Sequence, residues 1–169
     1  MPRALSVLVV GLGLWTATVQ AGVFVGATAI EVALAFVVVA ALTGWVARRV
    51  AFPDCEPPAP RLDRRIVVPT VLTSMANAWI LRGPNPDDTV YGNLAVTVAD
   101  RPFEALGRHD GLFGLDAPSA MLRPYALHGI EPLAGVIAWI PGVDALVALH
   151  VMLPLLFGGV VALAQFELG

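Results

Sequence analysis

The chain has 169 residues, of which 57% are hydrophobic and only 14% charged, with a net charge of −3. Soluble domains carry roughly a quarter charged residues, so this balance excludes an ordinary soluble domain, and so small a net charge argues against a nucleic-acid partner. The single cysteine, Cys55, excludes an internal disulfide and a CxxC-type zinc site.

The apolar residues are bunched. From Ala4 to Ala47 the only charge is Glu31, and from Pro132 to Phe166 it is Asp144. A hydrocarbon core about 30 Å thick is crossed by about 20 helical residues. The pattern predicts an all-α integral membrane protein. It has about four transmembrane helices and a ~50-residue extracytoplasmic cap between the third and the fourth.

Residues 1–47 are too long for one span and fit a helical hairpin. Gln20, Gly22, Gly26 and Thr28 put its turn near Gly22–Ala27, which gives helices of Leu5–Val23 and Ala29–Ala47. Residues 1–21 also fit a cleavable signal peptide, with Arg3 before the apolar run and Val19 and Ala21 at the small-residue cleavage positions. Residues 48–65 form an Arg- and Pro-rich loop containing FPDCEPPAP, which cannot be helical throughout. Residues 66–81 form a short third helix with Arg64, Arg65 and Arg82 placed to snorkel at its ends.

Residues 82–131 are the polar cap. GPNPDD reads as a turn and TVYGNLAVTVA as a strand. DRPFEALG reads as a short helix with Asp100 as N-cap, and DAPSAMLRPYALHG repeats that grammar. PGVD at 141–144 breaks the last apolar block. Residues 132–142 are then too few to cross and read as interfacial or re-entrant, and 143–169 as the fourth helix. Arginine counts orient the whole. Six lie in the N-terminus and the 48–65 loop, against four diluted through the longer cap. That places both termini in the cytoplasm and residues 82–131 outside the cell membrane.

Glu31 has two readings. With Thr28 it forms T-x-x-E, a capping box at the start of the second helix. Were that helix to start earlier, Glu31 would be a buried carboxylate forming an intramembrane polar cluster with Asn77 and His150. Thr70, Thr73, Ser74 and Asn77 share one face of the third helix, a pattern that glues helices together or lines a water path. Pro154, Gly158 and Ala162 recur every four residues on the last helix and form a close-packing face. Gly22 and Gly26 have contact spacing but fall in the expected turn. In the cap, His109, Asp110, His128 and Glu131 are the residue types that ligate zinc or copper, without a recognised ligand spacing. Ser74 and Ser119 lack the GxSxG or SxxK frames of nucleophilic serines.

No catalytic motif and no cofactor is predicted. The sequence points first to an accessory or scaffold subunit of a membrane complex or transport system, with a membrane-protein partner or a homo-oligomeric state. The alternatives are a small membrane enzyme or metal site using the Glu/His/Asn cluster or the cap residues, and a homo-oligomeric channel or carrier.

Overall fold

The computed structural model describes residues 2–49, 63–80, 88–107 and 129–168. These are helical, and no strand is present among them beyond one isolated bridge between Thr28 and Ala105. The helices are α1 (Pro2–Val25), α2 (Ala29–Arg49), α3 (Arg64–Ile80), α4 (Asp88–Asp100), α5 (Ile130–Ile137) and α6. The last comprises Ala145–Val147, a π-turn over Ala148–Met152 and Leu153–Leu168. Among the described residues three helices are long and apolar enough to span a membrane: Val7–Val25, Ala29–Arg49 and Ala145–Phe166. Their length and composition are those of membrane-spanning helices. With 17 residues, α3 falls short of the about 20 that cross a bilayer unaided.

The turn between α1 and α2 is tighter than its glycine content suggests. Gly26, in the left-handed region at φ 73°, ends α1. Its N–H donates to the Val23 carbonyl and the Ala27 N–H to the Gly22 carbonyl, the paired bonds of a Schellman stop. Gly22 therefore lies inside α1 and not in the turn. A Cβ there would collide with the Val32 side chain, so the glycine is what lets α2 approach.

Two local expectations are corrected. TVYGNLAVTVA is helical, because its apolar residues fit both periods and packing decides. Gly92, Asn93, Leu94, Ala95, Thr97 and Val98 are all buried, and a helix alone satisfies their backbone groups internally. DRPFEALG is not a helix capped by Asp100, since Asp100 is the last residue of α4 and 101–107 form turns. This segment docks on the α1–α2 corner. Ile30 N–H donates to the Pro102 carbonyl at 3.0 Å and Leu106 N–H to the Ala27 carbonyl at 2.9 Å. The first of these satisfies an N–H that the start of α2 leaves without a helical acceptor.

The core lies between the helices in two adjoining clusters. One joins Trp15 and Val19 of α1, Ala29 and Val32 of α2, Val98 of α4 and Leu106. Trp15 meets Phe36 edge to face, with ring centroids 5.3 Å apart. The other joins Ala95, Ala134, Ala145, Ala148, Leu149 and Leu153, from α4, α5 and α6. α4 and α5 thus pack along the sides of the spans. Trp45 near the C-terminal end of α2 carries the Arg49 guanidinium 5.0 Å from its ring centroid.

α6 starts where PGVD breaks the chain. Gly142 has φ 85°, and Asp144 caps the helix by accepting from Leu146 N–H at 2.8 Å and Val147 N–H at 3.1 Å. Pro154 has no N–H to give, and its ring crowds the carbonyl one turn back. The ladder widens just before it, where Leu153 N–H reaches the Ala148 carbonyl five residues earlier.

Candidate functional site

Among the described residues, the polar side chains buried in this apolar bundle are Asn93 and Thr97 on α4 and Glu131 on α5. A glycine anchors the site. Gly129 caps α5 with φ 78°, and its carbonyl accepts the indole N–H of Trp15 at 2.6 Å, a buried bond across 114 residues of sequence. A Cβ on Gly129 would lie 3.3 Å from the Thr16 Cα, so the two backbones meet closely only because glycine is there. Beside this contact a cavity of about 170 Å³ is lined by Leu12, Trp15, Thr16, Gly129, Leu133 and Phe157 among others.

One turn past Glu131, Gly135 lies flat on α4. A Cβ there would come within 2.6 Å of the Ala95 carbonyl oxygen and of Val98. Trp139, a turn further on, donates its indole N–H to the Val98 carbonyl at 3.2 Å. α4 and α5 therefore run side by side in the same direction. On α4 the Thr97 hydroxyl donates to Asn93 Oδ1 at 3.3 Å, one turn back on the same helix.

Glu31 is held at the start of α2. Its carboxylate accepts from Thr28 N–H at 2.8 Å and Thr28 Oγ1–H at 2.9 Å, and its own N–H reaches Thr28 Oγ1 at 3.3 Å. The capping box is closed, and the carboxylate is exposed. Asn77 is exposed on α3 and His150 is half-buried in the π-turn of α6. Among the described residues no hydrogen bond joins Glu31, Asn77 and His150. His109, Asp110 and His128 lie outside the described residues, and only Glu131 of that set is seen. No group of three or more His, Cys, Asp or Glu side chains among the described residues could hold a metal ion.

Of the α3 stripe, Ser74 meets the α6 stripe, while Thr70, Thr73 and Asn77 are exposed. Pro154, Gly158 and Ala162 are buried, and Gly158 presses on α3, its carbonyl accepting from Ser74 Oγ–H at 2.9 Å. Thr70 turns its hydroxyl back to the Ile66 carbonyl at 2.9 Å. Pro69, Thr70, Thr73, Ser74 and Asn77 line an open groove of about 390 Å³ along α3.

Asn93, Thr97, Trp15, Gly129 and Gly135 were not evident as site residues from sequence. The one signal that could have found them was Gly129-Ile-Glu-Pro opening an apolar run, a helix start with an acid in its first turn. No protein-family model, no curated protein and no solved structure matches the chain.

Proposed function

We propose that this chain is a non-enzymatic multi-pass subunit of a larger membrane assembly or transport system, working by helix packing. The observation that carries the reading is α2. Beyond Ala29 and Val32 it buries no residue in the chain, while Leu34, Val37, Val38, Leu42 and Trp45 stand exposed. Such a helix serves as a lipid-facing wall or as the seat of a partner helix.

The reading includes four crossings with both termini cytoplasmic. A Cβ on Gly158 would meet Ser74, Met75 and Ala78, and one on Gly159 would meet Met75 and Val71, so α3 is read as antiparallel to α6, ending roughly 14 Å short of the level of Ala145 at 1.5 Å per residue. α4 continues upward to the α1–α2 corner, so α3 and α4 make one interrupted span. α5 starts level with Trp15, eleven residues and about 16 Å below Gly26, and rises to Trp139 as a re-entrant half-helix. Backbone interrupted at that depth is tolerated where protein buries it. Trp15 and Val19 belong to the core, which favours retention of residues 1–21 over cleavage.

The test is purification of the tagged full-length protein from its host in mild detergent, with mass spectrometry of the intact fraction. A stoichiometric membrane-protein partner supports the reading and names the assembly. A partner-free monomer that retains an activity of its own overturns it. Glu31→Gln and His150→Ala leave assembly intact, while a bulky side chain at Gly158 disrupts it.

A further inference from the structure

The second half of α2 stands clear of the bundle. From Ala41 to Arg49 every residue is exposed except Thr43, which is half-buried. One face of the helix is ordered by polarity. Leu34, Val38, Ala41 and Trp45 recur at i, i+4, i+7 and i+11, and Arg48 and Arg49 close the face at i+14 and i+15. Phe36, which meets Trp15 of α1, lies on the opposite side. The Arg49 guanidinium is 5.0 Å from the Trp45 ring centroid. That contact holds the cation at the level of the indole but supplies no acceptor oxygen. No carboxylate among the described residues forms an ion pair with Arg48 or Arg49.

An apolar face that ends in an exposed indole and then in two cations matches an anionic amphiphile lying along it. Tryptophan belongs at the membrane–water boundary, and basic residues just beyond a span attract anionic lipid. The length agrees. Arg48 and Leu34 are 14 residues, roughly 21 Å, apart along the helix, which covers the about 15 Å of hydrocarbon in one leaflet. A lipid phosphate stands at the level of the arginines, and a guanidinium binds phosphate through paired N–H donors. We infer that the C-terminal half of α2 seats an anionic phospholipid. Arg48 and Arg49 hold its phosphate beside Trp45, and its acyl chain lies along Ala41, Val38 and Leu34. The inference rests on the membrane-subunit reading above and gives this half of α2 the lipid-facing use named there.

The experiment places full-length protein in nanodiscs of equal phosphatidylcholine and phosphatidylglycerol. Native mass spectrometry counts the lipids that stay on the protein as the disc is stripped away. The expected result is retention of phosphatidylglycerol over phosphatidylcholine, with the preference falling about fivefold for each of Arg48→Gln and Arg49→Gln. Arg49→Lys keeps the charge but not the paired donors, and it weakens retention as well. The control is Arg64→Gln with Arg65→Gln. This pair opens α3, and α3 antiparallel to the descending α6 starts at the end of the bundle where α2 finishes. The control should keep the preference. An equal loss from it overturns the inference, because a diffuse field of charge and not a seat on α2 then attracts the lipid. Absence of any preference in the wild-type protein overturns it as well. A photo-cross-linker at Val38 that captures a second copy or another protein in host membranes, and no lipid, does the same and gives the face to a protein. The search for a co-purifying partner is scored separately. A partner-free active monomer sinks the subunit reading and leaves the lipid count standing, and loss of the lipid preference leaves the partner search standing.

Discussion

Gly158→Ala adds one methyl group and tests the α3–α6 contact directly. The new Cβ would sit 2.7 Å from the Ser74 carbonyl oxygen, 2.8 Å from the Ala78 Cβ and 2.9 Å from the Met75 Cα. Two of these atoms are backbone, so no rotamer change relieves them. Ordinary contact begins at 3.4 Å, so α3 must retreat by about 0.7 Å. The Ser74–Gly158 hydrogen bond, now 2.9 Å, then opens past useful length. Overpacking of this kind costs about 1–3 kcal/mol, and an interhelical hydrogen bond in a membrane contributes about 0.6 kcal/mol. Alanine returns about 1 kcal/mol of helix propensity. The expected net loss is about 1–2 kcal/mol. Gly159 is the control, because its Cβ would meet the flexible side chain of Met75 at 3.4 Å and Val71 Cγ1 at 3.9 Å, both ordinary contacts. The assay is disulfide cross-linking of M75C with G159C in a Cys55→Ala background, beside thermal denaturation in detergent. Gly158→Ala should lower both the cross-linking yield and the melting temperature, and Gly159→Ala alone should leave the melting temperature near wild type. Equal stability of Gly158→Ala and Gly159→Ala would refute the packing argument.

Further outcomes are expected at the α2 cap, at the Trp15–Gly129 contact and at Gly44. Thr28→Ala should destabilise by about 1 kcal/mol through loss of the α2 cap, whereas Glu31→Gln, which keeps a side chain able to complete the box, should melt within about 0.5 kcal/mol of wild type. A large effect of Glu31→Gln on function with unchanged melting would restore Glu31 as a working residue. Trp15→Phe removes the bond to Gly129 and should cost about 1 kcal/mol. Gly129→Ala forces a side chain into the left-handed region against Thr16 and should cost at least about 1–2 kcal/mol; proteolysis near residue 129 in detergent would report both by faster cleavage. Gly44→Ala adds a Cβ where nothing lies within 4 Å, so it should raise stability by up to about 1 kcal/mol, and a loss of assembly instead would mark the partner-facing side of α2.

Hydropathy made the three long spans visible because a membrane selects on length and apolarity, and both can be counted along the chain. The capping box at Thr28 and the break at Pro141–Gly142 were equally legible, since caps and turns are set by residues a few positions apart. The middle of the chain was opaque for the opposite reason. Residues 88–100 carry polar side chains that, averaged over a window, resemble a solvated cap, yet Asn93 and Thr97 are buried against other helices. Polarity along the chain does not distinguish a residue facing water from one facing the inside of a bundle. That difference is made by contacts such as Trp15 to Gly129, between residues 114 positions apart. Glu31 and Glu131 state the same point in chemical form. As the lone acid in a long apolar block, Glu31 has the sequence signature of a functional carboxylate, but its own helix start satisfies it at the rim. Glu131 has the signature of one acid among several in a polar loop, but the fold carries it into the core. Which acid is buried is therefore decided by tertiary packing, and hydropathy along the chain does not show it.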